Sequence, residues 1–112
     1  MDTVNTFNND IENEVFNKLK EILTELIGED EAEIIGISRD SSFLLDLMVD
    51  SIQIVAFIER ARALYGDTVN YVAWFSTKSP NQFFDITVGE ISGFIADELS
   101  SLQQAEQYKQ AQ

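Results

Sequence analysis

The sequence predicts an all-α protein, a four-helix bundle with three longer helices and one or two short ones. Apolar residues recur at helical spacing in three separate stretches, and capping patterns stand before two of them. A chain of 112 residues suits a single hydrophobic core, and no internal repeat or inter-domain linker divides it.

Residues 1–9 read as a flexible, polar N-terminus with Phe7 as its one anchor. From there Ile11, Val15, Leu19, Ile22, Leu23 and Leu26 form one stripe of an amphipathic helix over residues 10–27. Asn9 and Glu12 make a capping pair before it, and Gly28 is a natural stop. Residues 29–50 lack sustained periodicity but hold Ile34, Ile35, Ile37, Phe43, Leu44, Leu45, Leu47, Met48 and Val49. Such a segment is too apolar for a solvated linker, so it should seal one side of the core, with Phe43 and Leu47 as anchors and a short turn of helix near residues 41–46.

The next long helix begins at Asp50 or Ser51 and reaches Tyr65, before Gly66. Ile54, Ile58, Ala61 and Tyr65 line one edge, with Val55 and Phe57 beside them, while Gln53, Glu59, Arg60 and Arg62 face outward. Residues 67–80, with Tyr71, Trp74 and Phe75, form a short helix or an ordered aromatic loop, and Phe83 and Phe84 add an apolar clamp. The last helix has the clearest start: Thr87 caps the free amides, Glu90 reaches back, and Val88, Ile91, Phe94, Ile95 and Leu99 form its buried face. One domain over residues 10–102 results, followed by residues 103–112 as a polar tail or a fraying helical end.

Composition excludes several functions. With neither cysteine nor histidine, the chain has no disulfide, no thiolate nucleophile, no usual zinc ligand set and no side chain that normally titrates near neutral pH. A formal charge of −13 repels nucleic acid and anionic lipid, and favours proteins with basic patches as partners. No secretory signal opens the sequence and no stretch approaches the roughly 20 apolar residues that span a bilayer, so a cytoplasmic protein without membrane contact is expected. Glu29, Asp30, Glu31 and Glu33 do not have the spacing of a calcium loop, and no metal site is expected there. No nucleotide-binding loop or nucleophile elbow is present, and the expected protein is not an enzyme.

Ser51 stands out because it lies at a helix start, after Asp50 and before Ile52. The free amides and partial positive charge of that end favour an attached phosphodiester. Two readings of Ser51 stand side by side, an anchor for a phosphate-linked group and a plain helix cap. Ile52 likewise reads as an exposed apolar contact or as a residue packed under the preceding loop.

The segment FLLDLMVDSIQIV, residues 43–55, resembles the prosthetic-group attachment region of acyl carrier proteins. In that family a phenylalanine, an aspartate–leucine pair and Asp-Ser-Leu or Asp-Ser-Ile open the second helix, matched here by Phe43, Asp46, Leu47, Asp50, Ser51 and Ile52. ITVGEISGFI, residues 86–95, resembles the start of the family's last helix, so the likeness covers about residues 10–100. Two features depart from the pattern. Met48 stands where the family has glycine, altering the turn or adding an apolar surface, and the aromatic segment Tyr71, Trp74 and Phe75 is an insertion that serves as a docking element or as extra core.

The resemblance implies an acyl-carrier-like bundle in which residues 10–102 form a carrier domain. It implies that a phosphopantetheinyl transferase joins 4'-phosphopantetheine from coenzyme A to the Ser51 hydroxyl, with Asp50 presenting the serine. The arm would then carry acyl groups as thioesters between acyl-loading and acyl-processing enzymes such as a ketosynthase or an acyltransferase. Asp50 replaces the histidine often found in amino-acid carriers, so Ser51 resembles the attachment site of a fatty-acid or polyketide carrier; the aromatic insertion and polar tail favour a discrete carrier of a specialised pathway, and a monomer is expected. Recognition is expected at Asp46, Asp50, Ile52 and Glu59, with Met48 as an added contact and Arg60 and Arg62 turning away noncognate enzymes by like-charge repulsion. The plain alternative for these helix charges is solvation.

Overall fold

The apolar stripes close into an all-α bundle in the computed structural model, which describes the backbone of residues 2–66 and 69–110 and the side chains of residues 10–66, 69–82 and 85–101. The helices are α1 (Asp2–Ile27), α2 (Glu29–Ile35), α3 (Ser51–Tyr65), α4 (Tyr71–Ser76), α5 (Pro80–Phe84) and α6 (Val88–Gln110). No strand occurs among the described residues, only an isolated bridge between Ser42 and Thr87. α1 is the spine: it packs on α6, α2 and α3, and buries Val15, Phe16, Leu19, Ile22 and Leu23 against Phe57, Val88, Ile91 and Ile95.

α1 starts at Asp2, so most of the N-terminal segment expected to be loose is helical and Asn9 lies inside the helix rather than capping it. Glu12, the other half of that capping pair, accepts instead from the guanidinium of Arg39, which also reaches Asn13 and lies 4.3 Å from the centre of the Phe16 ring. Extending a helix that already exists costs far less than nucleating one, which lets the weak helix formers of residues 2–9 continue it. The predicted Phe7 anchor lies outside the described side chains.

Gly28, at φ 100°, turns the chain directly from α1 into α2. Three acidic residues in the first turn of α2 suit the positive end of its dipole. This helix was not expected from the sequence, because its seven residues bury only Ala32 and therefore carry no stripe. The following loop buries Ile37, Phe43, Leu47 and Val49 and leaves Leu45 and Met48 outside; Ile34 of α2 is also exposed. The short turn expected near residues 41–46 is present, with the Asp46 and Leu47 amides both donating to the Ser42 carbonyl, at 3.2 and 3.0 Å. Phe43 N donates to Ile86 O at 3.0 Å, Val88 N to Ser41 O at 3.0 Å and Gly89 N to Arg39 O at 2.9 Å, so the loop is stitched to the entry of α6.

On α3 the expected edge packs on the core, with Ala61 buried and Ile54, Ile58 and Tyr65 partly buried against it; of the two residues expected beside that edge, Phe57 is buried and Val55 is 58% exposed. The aromatic segment is a short helix whose aromatic side chains pack on the core while Val72 is exposed. Asn70 caps α4, Val69 and Tyr71 are buried, the Tyr71 hydroxyl donates to Ala61 O at 3.2 Å, and Trp74 stacks on Phe94 with ring centres 5.2 Å apart. Phe83 and Phe84 lie on α5, but their clamp lies outside the described side chains. α6 starts as expected, with Thr87 N donating to Glu90 Oε1 at 3.1 Å and Glu90 N to Thr87 Oγ1 at 3.2 Å. It then continues to Gln110, eight residues past the expected domain end at residue 102.

Candidate functional site

The sequence Val-Asp-Ser-Ile-Gln makes a helix start with a complete reciprocal cap. Asp50 is the N-cap, in extended backbone at φ −86° and ψ 177°. Gln53 N donates to Asp50 Oδ1 at 2.8 Å, and Asp50 N donates to Gln53 Oε1 at 3.0 Å. The plain-cap reading of Ser51 is therefore overturned: Asp50 does the capping, and Ser51 is the first residue of α3. The Ser51 side chain is exposed, and its hydroxyl makes no hydrogen bond to the described residues. The Ser51 and Ile52 amides precede the first intrahelical bond, as the opening amides of any helix do.

Two buried anchors frame this turn from the loop side. Leu47 and Val49 point inward with Phe43, whose ring meets Phe57 edge-on with centres 5.0 Å apart. Met48, between them, has φ 54° and is 80% exposed. Glycine adopts that left-handed conformation freely, while a side chain there costs about 1–2 kcal/mol. The chain thus keeps a turn suited to glycine while placing an apolar side chain on the surface next to Ser51. Ile52 is 79% exposed, which excludes its packing under the loop.

The remaining predicted contacts separate by geometry. Asp46 is exposed, but its Oδ2 accepts from Ser42 N at 2.8 Å while Ser42 Oγ accepts from the Asp46 and Leu45 amides, so this carboxylate closes the turn. At about 100° per residue, Val55 and Arg62 lie within about 40° of Ser51 around α3, and Glu59 and Ile52 within about 100°. Arg60 falls on the opposite side, at about 180°. It pairs with Glu25 of α1 and lines a shallow groove with Lys18, Glu21 and Leu64. Arg60, expected among the outward-facing charges, is exposed and also ties α3 to α1 through Glu25. Glu59 and Arg62 are exposed on the Ser51 side, with Arg62 about 16 Å further along the axis.

Gln53 was expected to face outward with the solvated charges. Besides completing the cap, its Nε2 donates to Leu26 O at 3.3 Å and joins the first turn of α3 to the end of α1. Reciprocal capping by an Asp with a Gln three residues later was visible in the sequence, but the partner on α1 depends on how the helices cross.

Fold and site together define an all-α bundle with a serine presented at the first position of a capped helix, bordered by exposed apolar side chains. Comparison with known proteins finds no matching family model, no matching curated protein and no matching solved structure. Among the described residues no helix is long and apolar enough to cross a membrane, and no group of three or more His, Cys, Asp or Glu side chains could hold a metal ion.

Proposed function

We propose that the chain is an acyl carrier whose Ser51 is the covalent attachment point of a 4'-phosphopantetheine arm. The observation that carries this reading is the division of labour at the start of α3: Asp50 satisfies the cap, leaving an exposed and unengaged Ser51 hydroxyl at a fixed position. The residues fit the group, since the attachment chemistry needs an accessible hydroxyl and a helix N-terminus tolerates a phosphodiester. When attached, the arm supplies a thiol for thioester formation.

The chain's own residues hold and present. Phe43, Leu47 and Val49 clamp the loop, Asp50 and Gln53 fix the first turn, and Met48, Ile52 and Val55 offer partners an apolar surface beside the serine. Glu59 and Arg62 add charges of both signs, with Arg62 disfavouring enzymes whose facing surface is basic. The partners are a phosphopantetheinyl transferase and acyl-loading or acyl-processing enzymes such as a ketosynthase or an acyltransferase. The setting is polyketide or specialised fatty-acid biosynthesis in the cytoplasm, with the carrier as a monomer. Bond-making belongs to those enzymes; the carrier raises the effective concentration of a tethered acyl group at each active site.

Incubation with coenzyme A and a broad-specificity phosphopantetheinyl transferase, followed by intact-mass measurement, tests this. One arm is expected on the wild type and none on Ser51→Ala. An unchanged wild-type mass, with a control carrier fully modified in the same tube, overturns the reading.

A further inference from the structure

We infer that Gln53 is a positioning residue for modification of Ser51, through the hydrogen bond that ties the first turn of α3 to α1; this rests on the carrier reading above. Three bonds converge on this one residue. Its amide donates to Asp50 Oδ1, its Oε1 accepts from Asp50 N, and its Nε2 donates to Leu26 O. The first two bonds are local, and any good capping box supplies them. The third crosses 27 positions of sequence and fixes where the capped turn sits relative to the longest helix.

That bond matters because the exposed side of the turn has no other tie to α1 through a side-chain hydrogen bond among the described residues. Ser51 and Ile52 are exposed and Met48 points away from the core; Ile54 packs partly buried against the core, and the first fully buried residue of α3 is Phe57, nearly two turns further on. Leu47 and Val49 restrain the chain entering the turn, but within the first turn itself Gln53 makes the one side-chain hydrogen bond to another helix among the described residues. The C-terminal carbonyls of α1 also need donors, and the Gln53 side-chain Nε2 supplies one at Leu26. Both helix ends are completed by the same side chain, two residues from the hydroxyl that must meet a modifying enzyme.

Two substitutions separate the cap from the tie. Gln53→Glu retains an oxygen to accept from Asp50 N but has no N–H for Leu26 O, whereas Gln53→Ala removes both. The readout is steady-state kinetics of arm transfer from coenzyme A by a broad-specificity phosphopantetheinyl transferase, with the concentration of the full chain varied. A lost part-buried hydrogen bond corresponds to about a three- to tenfold effect. For Gln53→Glu we expect that fall in kcat with KM for the carrier changed less than about twofold, because the serine docks but reaches attack geometry less often.

A purely structural role gives a different pattern. A destabilised carrier lowers the concentration of folded substrate, which raises apparent KM and leaves kcat intact. Gln53→Glu with wild-type kcat overturns the inference, as does a change confined to KM. If Gln53→Ala does not fold, Gln53→Glu decides alone. Failure of the wild type to accept an arm would instead defeat the carrier reading, so the two outcomes are distinguishable.

Discussion

The starts of α3 and α6 are built with the same device and put to opposite uses. Each has a reciprocal cap, Asp50 with Gln53 in one and Thr87 with Glu90 in the other. At α6 the neighbouring side chains Ile86, Val88 and Ile91 are buried, and the Val88 and Gly89 amides are bonded to loop carbonyls. At α3 the residues that follow the cap, Ser51 and Ile52, remain outside, as does Met48 before it. Capping alone therefore does not dictate exposure. The α6 start is an assembly point for the core, and the α3 start is a presented surface supported from beneath by Phe43, Leu47 and Val49.

The largest expected effect that sharpens this contrast lies at Gly89. A Cβ there would lie 2.9 Å from the backbone oxygen of Arg39 and 3.0 Å from its Cβ, so the stitched loop would have to move. Overpacking of this kind costs about 1–3 kcal/mol, and the better helix propensity of alanine returns up to about 1 kcal/mol. Gly89→Ala should lower stability by about 1–2 kcal/mol in urea denaturation, while the folded fraction accepts the arm at the wild-type rate. Unchanged or increased stability would mean that the α6 entry is not the tight junction described.

A smaller effect of opposite sign is expected at Met48. Met48→Gly relieves about 1–2 kcal/mol of left-handed strain but adds about 0.5–1 kcal/mol of unfolded-chain entropy, for a net gain of about 0.5 kcal/mol. The same change removes an exposed apolar contact, so stability should rise while KM for the transferase rises too. A variant that gains stability and keeps its KM would remove Met48 from the docking surface.

How much of this was legible in the sequence follows from which interactions are local. Caps and stripes involve residues three or four apart, so α3 and the start of α6 could be read directly, as could the anchors Phe43 and Leu47. The seven-residue α2 could not, since a single buried alanine gives no periodicity. The edge of α3 was read correctly, but Val55 and Phe57 beside it are both apolar, and only the crossing with α1 and the contact with Phe43 decide which is buried. In the candidate site, Ser51 and Asp50 were found by motif. The positions of Arg60 against Glu25 and of Gln53 against Leu26 depend on α1 lying alongside α3, and no spacing within α3 records that.

The other end of α3 supplies the effect that is smallest at neutral pH and a test of whether burial there is an imperfect fit. The Tyr65 hydroxyl is buried without a hydrogen-bond partner, and burial, aided by Glu14 and Glu21, pushes its pKa up to about 12 from 10.0. A pKa raised by folding means that the neutral phenol is favoured in the folded chain. Its contribution is complete below pH 10 and is lost as the pH rises through about 12. Tyr65→Phe removes both the unpaired hydroxyl and this titration, and should gain no more than about 0.5 kcal/mol at neutral pH. Its advantage over the wild type should then widen between pH 10 and 12, whereas other titrating groups affect both proteins alike and cancel in the difference. Urea denaturation of the pair across that range checks the sign: a constant gap would mean that the phenol reaches solvent, and that the last turn of α3 is as open as the first.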